Sequence, residues 1–309
     1  MHWLILAAVV APLLFAVVNF IDSYLTKKIA TVYSLFSFSG LFTFVVAIVI
    51  AIYAAFAGIG LGLPIHSIEL IILSGAFFML MLYWYLKAFF TEDSEVSSVI
   101  PWFQFISVFA LLFGYIFLGE IPTANVIIPI ILIIIGAIIL SIDFRSNLKF
   151  RKESKWALGA AIAMAASTVA FKAGVGPQEI PFATTFFWMN IGTGVTTLIV
   201  FILSSNVRRE LRDLIKNNGA KVLKLSILNE VLNALALGAI SLAALQTIVS
   251  KVYAFGSFQT IYSFVLGVIG TIFLPKYVQE DLSKRNVVPK IIAIILVVAG
   301  GFLIEWWKP

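Results

Sequence analysis

The chain has 309 residues, of which 61% are hydrophobic and 12% charged, and its mean hydropathy is +1.07. A water-soluble domain of this length would carry more charge, so the composition excludes a soluble globular protein and points to one membrane-embedded domain. The net charge of +6 does not call for nucleic acid, because the basic residues sit in short loops beside apolar segments, where they face anionic lipid headgroups.

Ten apolar segments follow one another, at 3–26, 33–57, 68–90, 96–118, 124–142, 156–174, 182–204, 225–246, 249–273 and 290–307. Runs of about 18 or more apolar residues can cross a hydrocarbon core as helices. The chain is therefore expected to be an all-α integral membrane protein with ten transmembrane helices. The first segment, Trp3 to Leu25, has no basic run before it and no small-residue cleavage pattern after it, so it reads as a span and not as a removable signal peptide. Pro12, Pro101, Pro129, Gly256, Gly267 and Gly270 interrupt several segments. Membrane helices tolerate such residues when neighbouring groups satisfy the freed backbone. The longest loop, about 205–224, contains NVRRELRDLIKNNGAK. Val207, Leu211, Leu214 and Ile215 recur there at helical spacing, which fits either a short helix on the membrane surface or a solvated charged loop.

Positive charge alternates between the two sides. Of the 21 Lys and Arg, eighteen lie in or beside loops 1–2, 3–4, 5–6, 7–8 and 9–10, and only Lys172, Lys251 and Lys308 lie on the other side. The positive-inside rule then makes those five loops cytoplasmic and places both termini outside a plasma or inner membrane.

The halves echo each other. Val96-Ser97-Ser98-Val99 matches Val249-Ser250-Lys251-Val252, Phe103-Gln104 matches Phe258-Gln259, Ile116-Phe117-Leu118 matches Ile272-Phe273-Leu274, and Gly136 matches Gly300. The order is preserved at offsets of about 153 to 164. The predicted organisation is a first five-helix repeat over 1–145, a basic linker over 146–155 and a second repeat over 156–309. Five is odd, so the second repeat enters the membrane from the opposite side, an arrangement typical of secondary transporters with a midplane site.

Polar side chains inside apolar spans are costly and so mark candidate pathways. Asn229, Glu230 and Asn233 lie in the eighth segment; Asn233 is four residues from Asn229 and three from Glu230, so the groups share a face. A carboxyl group shielded from water holds a proton more readily, so Glu230 is a candidate for proton coupling; the alternative is a headgroup-level pair with Lys221 or Lys224. Asn19 in the first segment is a cavity candidate, while Asp22, close to Lys27, reads first as a cap or an interfacial ion pair. Trp102 and Gln104 follow Pro101, whose ring frees a backbone carbonyl one turn earlier. Gln104 and its counterpart Gln259 either face each other across a pocket or bond across packed helices. Tyr83 and Lys87 form either a cavity wall or part of an interfacial belt, with Glu92, Asp93 and Glu95 available to pair with Lys87. Trp188 and Asn190 lie in the seventh segment, and Asn190 joins the cavity candidates. Lys172 either snorkels to headgroups or contacts an anionic group. Gly159, Ala160, Ala161, Ala163, Ala165 and Ala166 read as a close-packing surface.

The stretch 95–142, EVSSVIPWFQFISVFALLFGYIFLGEIPTANVIIPIILIIIGAIILSI, resembles the second part of an EamA module: a V-S-x-V-x-P start, a polar residue one turn on, an L-G-E end and a last helix with a central Gly. Residues 229–305, beginning NEVLNALALG, resemble the same part of a second, more diverged module, with Leu274-Pro275-Lys276 in place of Leu118-Gly119-Glu120. The resemblance implies a ten-helix transporter of the drug/metabolite transporter superfamily. Many EamA proteins are drawn with cytoplasmic termini, whereas the charge distribution here puts them outside.

The expected function is a secondary transporter, an exporter or exchanger, that moves a small metabolite by alternating access through a cavity between the repeats. Protons are a candidate coupling ion, the bilayer is the standing partner, and the protein is expected to act as a monomer or homodimer. A lipid-linked-sugar translocase is the alternative within the superfamily, and a structural membrane protein a further one. An enzyme is not expected: there is no cysteine, His2 and His66 lie far apart, and neither metal-ligand spacing nor an ATP-binding motif occurs. No cofactor is expected.

Overall fold

The computed structural model describes residues 2–28, 30–91, 99–121, 123–141, 152–176, 180–217, 219–273 and 284–306. Helix is the regular secondary structure throughout these residues. α1 is made of His2–Ile5, a π-helical turn over Leu6–Val10, and Ala11–Lys28. It is followed by α2 (Val32–Ala57), α3 (Ile65–Phe89), and α4, a 3₁₀ turn over Ile100–Phe105 running into Ile106–Leu118. Then come α5 (Ala124–Ser141), α6 (Ser154–Val175), α7 (Phe182–Leu203) and the short α8 (Ser205–Asn217). α9 is Gly219–Gln246, α10 consists of Val249–Gly256 and Phe258–Phe273, and α11 is Lys284–Trp306.

Among the described residues, seven helices are long and apolar enough to cross a membrane: those of α1, α2, α3, α6, α7, α9 and α10. Shorter apolar stretches lie at Trp102–Leu118, Val126–Gly136 and Val287–Gly300. The outward faces are apolar: Ile48, Val49, Ile52 and Phe56 on α2, Ile199 and Ile202 on α7, and Ile227, Leu228, Val231 and Leu235 on α9 are all exposed, Phe56 by 90%. A contiguous apolar exterior of this extent is stable only in an apolar solvent, so the protein is embedded in a membrane.

The interior is built on close helix crossings. α3 packs along α6 and α7, α2 along α7, α5 along α11, and α1 against α9 and α10. Glycine makes the α3–α7 crossing possible. A Cβ at Gly192 would sit 2.6 Å from the Ile72 carbonyl oxygen, and one at Gly75 2.6 Å from the Met189 carbonyl oxygen. On α6 the small residues expected to pack do so: Ala160, Ala161 and Ala165 are fully buried, and Gly159 accommodates the ring of Trp84.

Broken backbone is repaired locally. Pro12 has no N–H to give the Ala8 carbonyl, which instead accepts from the Tyr262 hydroxyl of α10 at 3.3 Å. Pro101 sits in the first turn of the 3₁₀ segment of α4, where a missing donor costs least. The residue whose carbonyl it would have freed lies outside the described residues. α10 breaks at Ser257, whose hydroxyl bonds back to the Ala254 carbonyl at 2.5 Å.

The 205–224 loop resolves in favour of a helix. In α8, Val207, Leu211 and Leu214 are buried and Ile215 points outward. The helix leans on α2 and α7, and Glu210 accepts from the Thr31 hydroxyl at 2.5 Å. Thr31 also caps α2, exchanging bonds with Ser34 in a capping box. These contacts tie the basic α1–α2 and α7–α9 connections into one end of the molecule.

Candidate functional site

A cavity of about 80 Å³ opens among α1, α2, α3, α4, α6, α9 and α10. That is room for roughly half a dozen water-sized atoms. Its apolar wall includes Phe15, Val18, Phe78, Met81, Leu82 and Ile106. Its polar wall is formed by Asn19, Asp22, Ser39, Tyr85, Gln104, Asn229, Glu230, Asn233, Tyr253 and Gln259. A smaller cavity of about 20 Å³ shares Ser39, Glu230 and Asn233 and adds Asn190 and Thr193 of α7.

The polar residues form two adjacent hydrogen-bonded sets, one around Asp22 and one around Glu230. Asn229 of α9 donates through Nδ2 to Asp22 Oδ1 of α1 at 2.8 Å. The Tyr85 hydroxyl of α3 lies 2.8 Å from both Asp22 Oδ2 and Asn19 Oδ1. Ser39 of α2 donates to Glu230 Oε1, and Asn233 lies one turn on along α9 in the same cavity wall. All of these groups except Asn233 are nine-tenths or more buried: Asn19 and Asn229 are each 3% exposed, Asp22 6% and Glu230 7%. Two carboxyl groups are thus held in a site built from four helices and shielded from water.

Proton counting constrains the set around Asp22. Tyr85 has one hydroxyl proton and two nearby acceptors. Either Asp22 is protonated and donates to Tyr85, which donates to Asn19, or the Asn19 amide is turned over, donates to Tyr85, and Tyr85 donates to an ionised Asp22. Both arrangements are complete at the Tyr85 hydroxyl and at Asp22 Oδ2. The site therefore accepts Asp22 in either charge state without leaving a buried donor or acceptor stranded between them. Two amide atoms of the set, Asn19 Nδ2 and Asn229 Oδ1, have no protein partner among the described residues.

Six residues anticipated for the cavity line it: Asn19, Gln104, Asn229, Glu230, Asn233 and Gln259. Gln104 is also an interhelical link, donating through Nε2 to Thr260 Oγ1 at 2.9 Å, next to Gln259. Asn190 lines the smaller cavity, and its Nδ2 donates to the Phe186 carbonyl at 2.8 Å. Tyr83 and Trp102 do not line either cavity. Tyr83 stacks on Tyr33 at 6.2 Å and meets Lys87, whose ammonium lies 4.8 Å from its ring and 4.6 Å from that of Trp156. That is an aromatic belt at the basic end. Glu92, Asp93 and Glu95, offered as partners of Lys87, lie outside the described residues. Trp102 is buried against Phe105, with ring centroids 5.5 Å apart.

Lys172 does not present its charge to the cavity. Its ammonium donates to Glu120 Oε1 and to the Thr247 carbonyl, both at 2.6 Å, and Glu120 Oε2 accepts the Val249 N–H at 3.2 Å. The expected anionic contact is thus an internal one: the anion is Glu120 of the L-G-E stretch. Gly119 closes α4 with φ +67°, a left-handed turn that brings Glu120 back toward α6 and the α9–α10 corner.

Asp22 is the main correction. Its proximity to Lys27 suggested a cap, but it faces inward and bonds α9 and α3. The spacing of Asn19 and Asp22 on one helical face carried that signal. Tyr85 had none, because it lies two positions from Tyr83 and therefore on nearly the opposite side of α3.

No family model matches this chain, and no curated protein matches it either. Solved structures do. One crystal structure superposes with a TM-score of 0.67 over 97% of this chain and 94% of that one, at 14% identity. The arrangement of helices is therefore one that another protein shares over nearly its full length. At that identity the likeness concerns the fold alone.

Proposed function

We propose that the protein is a secondary transporter of the EamA type, with ten spans in two inverted five-helix repeats, that moves a small metabolite by alternating access. The observation that carries this reading is the cavity in which Asp22, Glu230 and five amides converge amid apolar spans. Groups that costly to bury are retained in membranes where they serve a pathway.

The helix pairing supports the repeat. Exchanging α1 with α6, α2 with α7, α3 with α9, α4 with α10 and α5 with α11 maps the α3–α6 contact onto α9–α1, and the α4–α6 contact onto α10–α1. The α2–α7, α4–α10 and α5–α11 pairs map onto themselves. The relation is not exact: α3 packs closely along α7 while its counterpart α9 barely touches α2, and α2 packs on α3 while α7 and α9 do not pack on each other among the described residues. An inverted-repeat transporter caught with one end closed has this asymmetry. The Glu120–Lys172 pair seals the end remote from the basic loops, and by the charge rule the basic end faces the cytoplasm.

The cavity size favours a small metabolite over a lipid-linked sugar. In proteoliposomes, uptake or efflux of a metabolite panel with and without a pH gradient tests the reading. Transport of at least one compound is expected, and Glu230→Gln is expected to abolish its dependence on the gradient. A protein that moves nothing from the panel in either direction would refute transport.

A further inference from the structure

The charges that border the main cavity are of one sign. Its ionisable lining residues are Asp22, Glu230, Tyr85 and Tyr253, and among the described residues no Lys, Arg or His borders it. Cations on the helices that line it are engaged by other groups: Lys87 by Tyr83 and Trp156, Lys172 by Glu120 and Thr247, and Lys251 by Trp3. A ligand with a carboxylate or phosphate would meet two carboxyl groups and no counter-charge.

The unpartnered amide atoms refine this. Asn229 is held by its bond to Asp22, which fixes its Oδ1 as an acceptor with no protein donor among the described residues. When Asp22 is ionised, proton counting turns Asn19 so that its oxygen takes the unpartnered position. Asp22, Asn229 and Asn19, each with an acceptor to offer, line one cavity, and an ammonium group has three N–H donors to give. The remainder of the wall, Phe15, Val18, Phe78, Met81, Leu82 and Ile106, suits a short apolar body.

We propose that this cavity binds a small protonated primary amine without a carboxylate, its ammonium held by Asp22, Asn229 and Asn19 and its hydrocarbon body by the α1–α3–α4 wall. The inference rests on the cavity being the substrate site of a transporter, and it names the substrate class. Selection by N–H donors separates it from simple attraction of lipophilic cations, because a quaternary ammonium carries the same charge and no donor. A site built to hydrogen-bond discriminates strongly against analogues that lack the matching group.

The test uses the full-length protein in detergent and three probes of one hydrocarbon skeleton: 3-methylbutylamine, leucine, and the N,N,N-trimethyl derivative of the amine. Binding is followed by saturation-transfer NMR and calorimetry. Saturable binding of the amine is expected, with leucine and the quaternary compound weaker by about tenfold or more. Asp22→Asn is expected to weaken amine binding by about tenfold or more, and its melting curve is recorded on the same sample. The wild-type ranking of the three probes stands independently of how that variant folds. Binding of the quaternary compound as tight as that of the amine, or preference for leucine, overturns the proposal. If the amine does not bind while the proteoliposome panel shows transport of another compound, the amine assignment falls and the transport reading survives. If the amine binds but neither it nor any panel member crosses, the site stands and the transport reading falls.

Discussion

Asn229 Nδ2 and Asp22 Oδ1 are 2.8 Å apart, although 207 positions separate them in the chain. The bond joins α9 to α1 across the proposed repeat boundary and brings a carboxyl group to the centre of the molecule. Replacing Asn229 with Leu removes the donor and leaves Asp22 Oδ1 buried without it. A stranded buried acceptor costs about 1–3 kcal/mol, and more when charged. Asn229→Leu is therefore expected to lower the melting temperature in detergent clearly, and Asn229→Ser less. Equal melting of wild type and Asn229→Leu would mean that the bond contributes nothing to the fold.

Glu120 and Lys172 form a pair that is mostly buried, their side chains 13% and 23% exposed. Removing one partner leaves the other's charge in a poorly solvated place, so Glu120→Gln and Lys172→Gln are each expected to destabilise by a few kcal/mol. The double variant should recover part of the loss, with a coupling energy of about 0.5–3 kcal/mol. Additive losses in the thermal unfolding of the four proteins would show that the two side chains act independently.

Gly192 and Gly75 set the distance between α3 and α7, because a Cβ at either would strike backbone atoms of the other helix. Gly192→Leu is expected to destabilise by about 1–3 kcal/mol or to prevent accumulation of the protein. In an alternating-access cycle it should also impair closure at this crossing, so residual transport should fall further than stability alone explains. Unchanged yield, melting and transport would contradict the close approach.

The Tyr262 hydroxyl fills the place left by the missing N–H of Pro12. Tyr262→Phe keeps the ring and deletes the donor, with an expected loss of about 0.5–1.5 kcal/mol. Combining it with Pro12→Ala, which returns an N–H to the helix, should cancel most of that loss. A double variant no more stable than Tyr262→Phe would argue that the Ala8 carbonyl needs neither donor.

Orientation has its own measurement. Reporters fused at Pro309 and inserted near Asn217 should report opposite sides of the membrane, with Pro309 outside. A cytoplasmic reporter at Pro309 would reverse the proposed topology.

Much of the fold was legible in the sequence because hydropathy is local. A helix in lipid satisfies its own backbone, so a run such as Val32–Ala57 identifies itself as a membrane helix without reference to its neighbours. The Asn229, Glu230 and Asn233 cluster was legible for the same reason: helical spacing places the groups together, and Ile227, Leu228, Val231 and Leu235 mark the opposite, lipid-facing side. The short α8 was half legible, from the period of Val207, Leu211 and Leu214.

Partnership was not legible, because it is decided between helices far apart in the chain. Local spacing gave Asp22 a nearby Lys27 and Lys172 a nearby headgroup layer. Tertiary packing instead gave Asp22 to Asn229 and Tyr85, and Lys172 to Glu120 and Thr247. Tyr83 and Tyr85 look alike in sequence, yet α3 turns the first into the aromatic belt and the second into the cavity. Composition and periodicity determined by themselves that this chain lies in a membrane as a set of helices, and which faces meet lipid. Only the packing of those helices decided which buried charge meets which partner, because in a medium without water each polar group must find its bond on whatever helix happens to be adjacent.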